Sequence, residues 1–105
     1  MHIESDLRIL LAAMQRGGAH SVSRTLDALH LNTWDPHKRM ELLGGLLMMA
    51  AEYNHVDTAE LALSCGNVHE EALQRALKLA ERHEDPTMLD LLKQRISFGE
   101  ARLVR

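Results

Sequence analysis

The sequence predicts an all-α fold of about six helices paired into three stacked hairpins, and three observations predict it. Hydrophobic residues make up 46% of the chain but aromatics only 3%, so the core must come from Leu, Ala and Met, which favour helices over strands. Apolar residues recur at spacings of three and four, the period of a helix face. At 105 residues the chain is one domain, 1–105, large enough to bury roughly two thirds of its unfolded surface without metal or disulfide staples.

Each element has its own signal. Asp6 caps a first helix in which Leu7, Leu10, Leu11 and Met14 share a face, and Gly17 and Gly18 end it. Ser21 or Ser23 starts a shorter helix carrying Val22, Leu26 and Leu29, broken by the turn formers of LNTWDP, residues 31–36. Asp35 before Pro36 is a strong start: the carboxylate accepts orphan amides while proline sits where no amide bond is needed.

The helix from Pro36 to about Tyr53 turns apolar nearly all round at GLLMMAA and is therefore central. Gly44 and Gly45 inside it point to a close backbone crossing or a bend. Asn54 and His55 make a tight turn, Asp57 begins a short helix with Ala59, Ala62 and Leu63, and Gly66 with Asn67 closes it as a left-handed end. N67-x-x-E70 reads as a capping box opening an amphipathic helix with Ala72, Leu73, Ala76, Leu77 and Ala80 inside. Asp85 and Pro86 repeat the earlier start signal, Met88, Leu91, Leu92 and Ile96 form the last inner face, and Gly99 stops it before a short tail.

The hairpin units span about 6–30, 36–66 and 68–98. A shift of 29 positions sets Ala51 and Glu52 on Ala80 and Glu81, Thr58 on Thr87, Ala62 on Leu91 and Leu63 on Leu92. A looser copy runs from Ala12 to Leu26. Hairpins that cannot bury a face alone stack side by side and build a continuous core with an extended outer surface.

The stretch AAEYNHVDTAELALSCGN resembles the second half of an ankyrin repeat: Ala50, Ala51, His55, Ala62, Leu63 and Gly66 stand at matching places, with Asn54 where the turn glycine usually lies. LAERHEDPTMLDLLK is a weaker copy. The family's Thr-Pro-Leu-His start is missing, Gly45 to Met48 standing there instead, and the shift of 29 is shorter than the family's period of about 33 residues. The resemblance implies a stack of helical hairpins that binds other proteins, and the missing Thr-Pro-Leu-His start removes the residues that shape the family's projecting β-turn fingers.

Composition excludes several classes. Twelve basic against 15 acidic residues, a formal charge of -3, give no broad positive field for phosphate backbones or anionic lipid. The longest apolar run, Leu46 to Ala51, is far below the roughly 20 residues that span a bilayer. One cysteine, Cys65, and no signal peptide point to a reducing cytoplasm, although an exported effector without a cleavable signal gives the same pattern.

Seven histidines invite a metal, but none form the H-x-x-x-H pair that puts two imidazoles on adjacent turns, so no metal or cofactor is expected. Cys65 at a helix end lacks the field that lowers a thiol pKa. RGGAH lacks the Lys and hydroxyl of a phosphate-binding loop, and the acids beside His69 suit a helix start. No catalytic constellation is found.

The function expected is therefore protein binding without catalysis, by an adaptor, an inhibitor or a small bacterial secretion chaperone presenting a rigid helical surface. Candidate contact residues are Trp34 and His37 at the turn between units, Met40, Tyr53 and His55 near one tip, and Arg75, Arg82 and His83 near the next. Leu and Met exposed at the stack ends would favour a homodimer. The alternative is a small DNA-binding regulator using Val56 to Arg82 as a helix-turn-helix, although Glu70, Glu71, Glu81 and Glu84 offset its basic residues.

Overall fold

Asp35 and Pro36 start the central helix as their local chemistry dictates. The Asp35 carboxylate accepts hydrogen bonds from the amides of His37 (3.1 Å) and Lys38 (3.3 Å), and the helix runs Pro36–Glu52. The computed structural model describes the backbone of residues 3–103 and the side chains of residues 3–96. Within them lie α1 (Ile3–Leu29), a short 3-10 helix (Leu31–Thr33), α2 (Pro36–Glu52), α3 (Val56–Cys65), α4 (Glu70–Glu81) and α5 (Pro86–Leu103). The fold is all-α, with no strand among the described residues.

Five α-helices stand where six were expected, because the predicted break at Gly17 and Gly18 is a kink inside α1. Gly18 has φ 65° and ψ -151°, a conformation open almost only to glycine. The chain thus bends without leaving the helix for a loop. Nor does Asp6 cap this helix: α1 includes Ile3, and Asp6 lies in its first turns with its Oδ2 atom buried and unpartnered.

α2 carries the core. Leu42, Leu43, Leu46, Leu47, Ala50 and Ala51 are fully buried, and α2 packs against α1, α3 and α4. Its glycines mark two different approaches. A β-carbon on Gly44 would stand 3.0 Å from the Ala72 Cβ of α4, and one on Gly45 would stand 2.9 Å from Leu7 Cδ1 of α1. Close crossing, not a bend, is their role. α3 packs against α1, α2 and α5, and α4 against α2 and α5.

α4 is the most amphipathic helix: Ala72, Leu73, Ala76 and Ala80 are buried while Glu70, Glu71, Gln74, Arg75, Lys78 and Glu81 face solvent. Its start departs from the expected capping box. His69, not Asn67, occupies the N-cap, and its side chain makes no capping bond. Gly66 is extended (φ 164°) rather than left-handed; a β-carbon there would stand 3.1 Å from Leu43 Cδ1, so close approach accounts for this glycine. α5 buries Met88 and Leu92, half-buries Leu91 and Ile96, and continues past Gly99 to Leu103. Of the expected tail, residues 104–105 lie outside the described residues.

Candidate functional site

The packing of α4 across the glycines of α2 leaves a groove between the two helices. Gly44, Gly45 and Ala72 make its floor, the half-buried Met40 and Met48 its walls, and Glu41, His69, Glu71 and Arg75 its rim. With no side chain larger than a methyl on the floor, the methionine thioethers meet little competition for space and can repack around whatever enters. The groove holds about 200 Å³. That falls below the roughly 300–1,000 Å³ typical of small-molecule pockets and suits a single bulky side chain.

Rim electrostatics are paired. Arg75 Nη2 donates to Glu71 Oε1 at 2.7 Å, one turn back on α4. His37 Nε2 lies 3.2 Å from Glu41 Oε1, one turn on along α2. At the mouth, the rings of His37 and His69 meet edge to face, with centroids 5.2 Å apart and planes at 64°. The fold therefore gathers two of the expected contact residues, Met40 and Arg75, around one groove, with a third, His37, beside it against His69 and Glu41 of the rim. Glu41, Met48, His69 and Ala72 join them. Helix periodicity alone could not nominate these four, because the groove exists only when two helices distant in sequence meet.

Tyr53 and His55 line a second recess of about 420 Å³, where the α2–α3 turn faces the α1 kink at Gly18 and Ala19. Tyr53 is 47% exposed and is, with Ile9, one of the two large apolar side chains exposed among the described residues. The turn is held by Asn54 in a left-handed conformation (φ 55°) and by the His55 amide, which donates to the Ala50 carbonyl at 2.8 Å. Asp57 opens α3 on the same side.

The other expected contact residues are placed apart from both recesses. Trp34 is half-buried, and its indole N–H donates to the Leu29 carbonyl at 2.9 Å, so it closes the end of α1 as a lid. Arg82 and His83 are exposed in the turn after α4. The His83 ring is engaged, its Nε2–H donating to the Glu52 carbonyl. Arg75, which would read DNA in the alternative, is held by Glu71.

A third recess of about 240 Å³ lies between the end of α1 and Cys65, with Asp27, His30 and Asn32 on its walls. Burial pushes the Cys65 thiol above its ordinary value, and the Asp27 charge adds to this against a hydrogen bond from Ser64. A raised thiol holds its proton and is a poor nucleophile. Among the described residues no group of three His, Cys, Asp or Glu stands where it could hold a metal ion, and no helix is long and apolar enough to cross a membrane. Comparison of the chain with known protein families, with curated proteins and with solved structures finds no match.

Proposed function

We propose that the chain is a non-catalytic protein-interaction module, an adaptor, inhibitor or small secretion-type chaperone, built as a short ankyrin-like stack of helical hairpins. One observation carries this reading: the register of the contacts between α2–α3 and α4–α5. Asn54 Nδ2 donates to Asp85 Oδ2 at 2.9 Å and His83 to the Glu52 carbonyl, both between residues 31 apart. Arg95 Nη2 donates to the Leu63 carbonyl at 3.0 Å across 32. His37 meets His69 across the same interval, 69 − 37 = 32.

These four contacts join the start of α2 to the start of α4, the α2–α3 turn to the α4–α5 turn, and the end of α3 to α5. Units that repeat along an axis meet at similar sequence intervals, and contacts at 31 and 32 favour such stacking, two to three positions beyond the shift of 29 that aligns the units in sequence. The kinked α1, packed on both α2 and α3, serves as the first unit of the stack. In this reading, ties at both ends and in the middle make the surface rigid, and little ordering entropy is lost on association.

The partner's anchor side chain enters the α2–α4 groove, whose glycine floor and methionine walls accept a bulky apolar group. With the outer face of α4 polar, the stack has a solvated end, which favours binding through recesses over dimerisation through an open apolar face.

The test compares the immobilised chain with a Met40→Glu, Met48→Glu variant of matching circular dichroism. Proteins captured from the native host by the parent and lost by the variant support the reading. Identical captures from both, or retention on a DNA column that falls steeply with salt, count against it.

A further inference from the structure

The geometry points to a two-imidazole site for a divalent transition ion such as zinc or nickel, formed by His37 at the start of α2 and His69 at the N-cap of α4. The inference rests on the meeting of those two side chains and stands apart from the protein-binding reading. Two imidazoles bound to one tetrahedral ion at roughly 2.0–2.1 Å per bond hold their ring centres about 5 Å apart. The centroids of His37 and His69 are 5.2 Å apart, with the planes at 64°, so one ion can be shared with the two helix backbones in place once the rings turn from this edge-to-face contact to aim a nitrogen of each at it.

The surroundings supply the outer shell that such a site needs. His37 Nε2 lies 3.2 Å from Glu41 Oε1. A carboxylate only accepts, so in neutral His37 it holds the proton on Nε2 and leaves Nδ1 as the lone pair for a metal, the carboxylate–histidine arrangement common around bound zinc. Glu41 and Glu71 add negative charge at the groove mouth, and Arg75, the basic side chain on its rim, is occupied by Glu71 at 2.7 Å. Because no third protein donor among the described residues converges with the two imidazoles, water completes the coordination. Filling the site ties the start of α2 to the start of α4.

The experiment titrates the full chain, stripped with a chelator, with zinc and separately with nickel, following histidine ring resonances and the thermal midpoint. One saturable equivalent is expected, shifting the ring signals of His37 and His69 together and raising the midpoint, since an ion bound only by the folded chain stabilises it. His37→Ala and His69→Ala, at exposed and half-buried positions that leave the core intact, each abolish the saturable step. Glu41→Gln weakens it by roughly tenfold, and His30→Ala leaves it unchanged. Binding without saturation in the parent, or saturable binding kept at the parent's level by His37→Ala and His69→Ala, assigns any uptake to the other five of the seven histidines and overturns the proposal.

Discussion

Gly44 and Gly45 are neighbours in one helix, and alanine at each should move stability in opposite directions. Both substitutions gain helix propensity of about 0.5–1 kcal/mol. At Gly45 the new methyl meets Leu7 Cδ1 at 2.9 Å and Cδ2 at 3.0 Å, the far end of a flexible, half-buried side chain that can turn aside. Most of the propensity gain survives there. At Gly44 the new methyl stands 3.0 Å from the Ala72 β-carbon, which is fixed to the backbone of α4.

Carbon atoms attract best at about 3.5–4.0 Å, so α4 must retreat by a few tenths of an ångström while still packed on α5. Overpacking of this kind costs about 1–3 kcal/mol, which leaves Gly44→Ala destabilised by about 1 kcal/mol. Urea unfolding followed by far-UV circular dichroism measures both. Each 1 kcal/mol should also move the thermal midpoint by about 4–8 °C. Ala72→Gly in the Gly44→Ala background removes the clash, so the double mutant should show a favourable coupling of about 1 kcal/mol. If Gly44→Ala stabilises as much as Gly45→Ala, or the coupling is zero, the crossing of α2 and α4 is not where the coordinates place it.

Thr58 is fully buried and its hydroxyl has no hydrogen-bond partner; the isosteric Thr58→Val should raise stability by about 1 kcal/mol in the same urea assay, because an unsatisfied buried group costs about 1–3 kcal/mol. The Asp85 carboxyl is held below the usual carboxylate range, first by the hydrogen bond from Asn54 and then by the Thr87 amide. Its folded pKa is thus lower than its unfolded one, so the stability it contributes is present above the unfolded value and lost as pH falls towards the folded one. Asn54→Ala should flatten that acid limb, as read from unfolding midpoints across pH. Trp34→Phe keeps an aromatic, if smaller, ring and loses the bond to the Leu29 carbonyl; unfolding should report a loss of at least about 0.5–1.5 kcal/mol, with capture of partners unchanged for a tryptophan that acts as a lid.

What was legible in the sequence was what short-range chemistry decides. Asp35-Pro36 and Asp85-Pro86 start helices because cap and proline act within three residues of themselves, and both carboxylates do accept the expected amides. Asn67 failed as a cap although its motif is of the same kind. Val68, next to it, packs against the core, and Gly66 lets Leu43 approach. Tertiary packing there holds the chain extended until His69, outweighing a capping gain of about 1 kcal/mol. The glycines at 17 and 18 were read correctly as an interruption, but their local signal does not distinguish a loop from a kink. The groove itself was illegible: its walls come from one helix and much of its rim from another, and the contacts that tie α2 and α3 to α4 and α5 fall at intervals of 31 and 32, not at the repeat shift of 29.

The register of the fold is nonetheless set by two adjacent letters. Successive residues on a helix point about 100° apart, so Gly44 and Gly45 face different neighbours, α4 for the first and α1 for the second. A single glycine would let one helix approach closely and hold the other off by a side chain. The pair admits both, bringing α1, α2 and α4 together at one level along α2. Approach at Gly44 and Ala72 also fixes how near the start of α2 comes to the start of α4, and hence the distance between the imidazoles of His37 and His69. Widening that crossing with Gly44→Ala should therefore separate the two rings and weaken metal uptake without touching either histidine. Gly45→Ala, which displaces only the end of Leu7, should leave uptake intact.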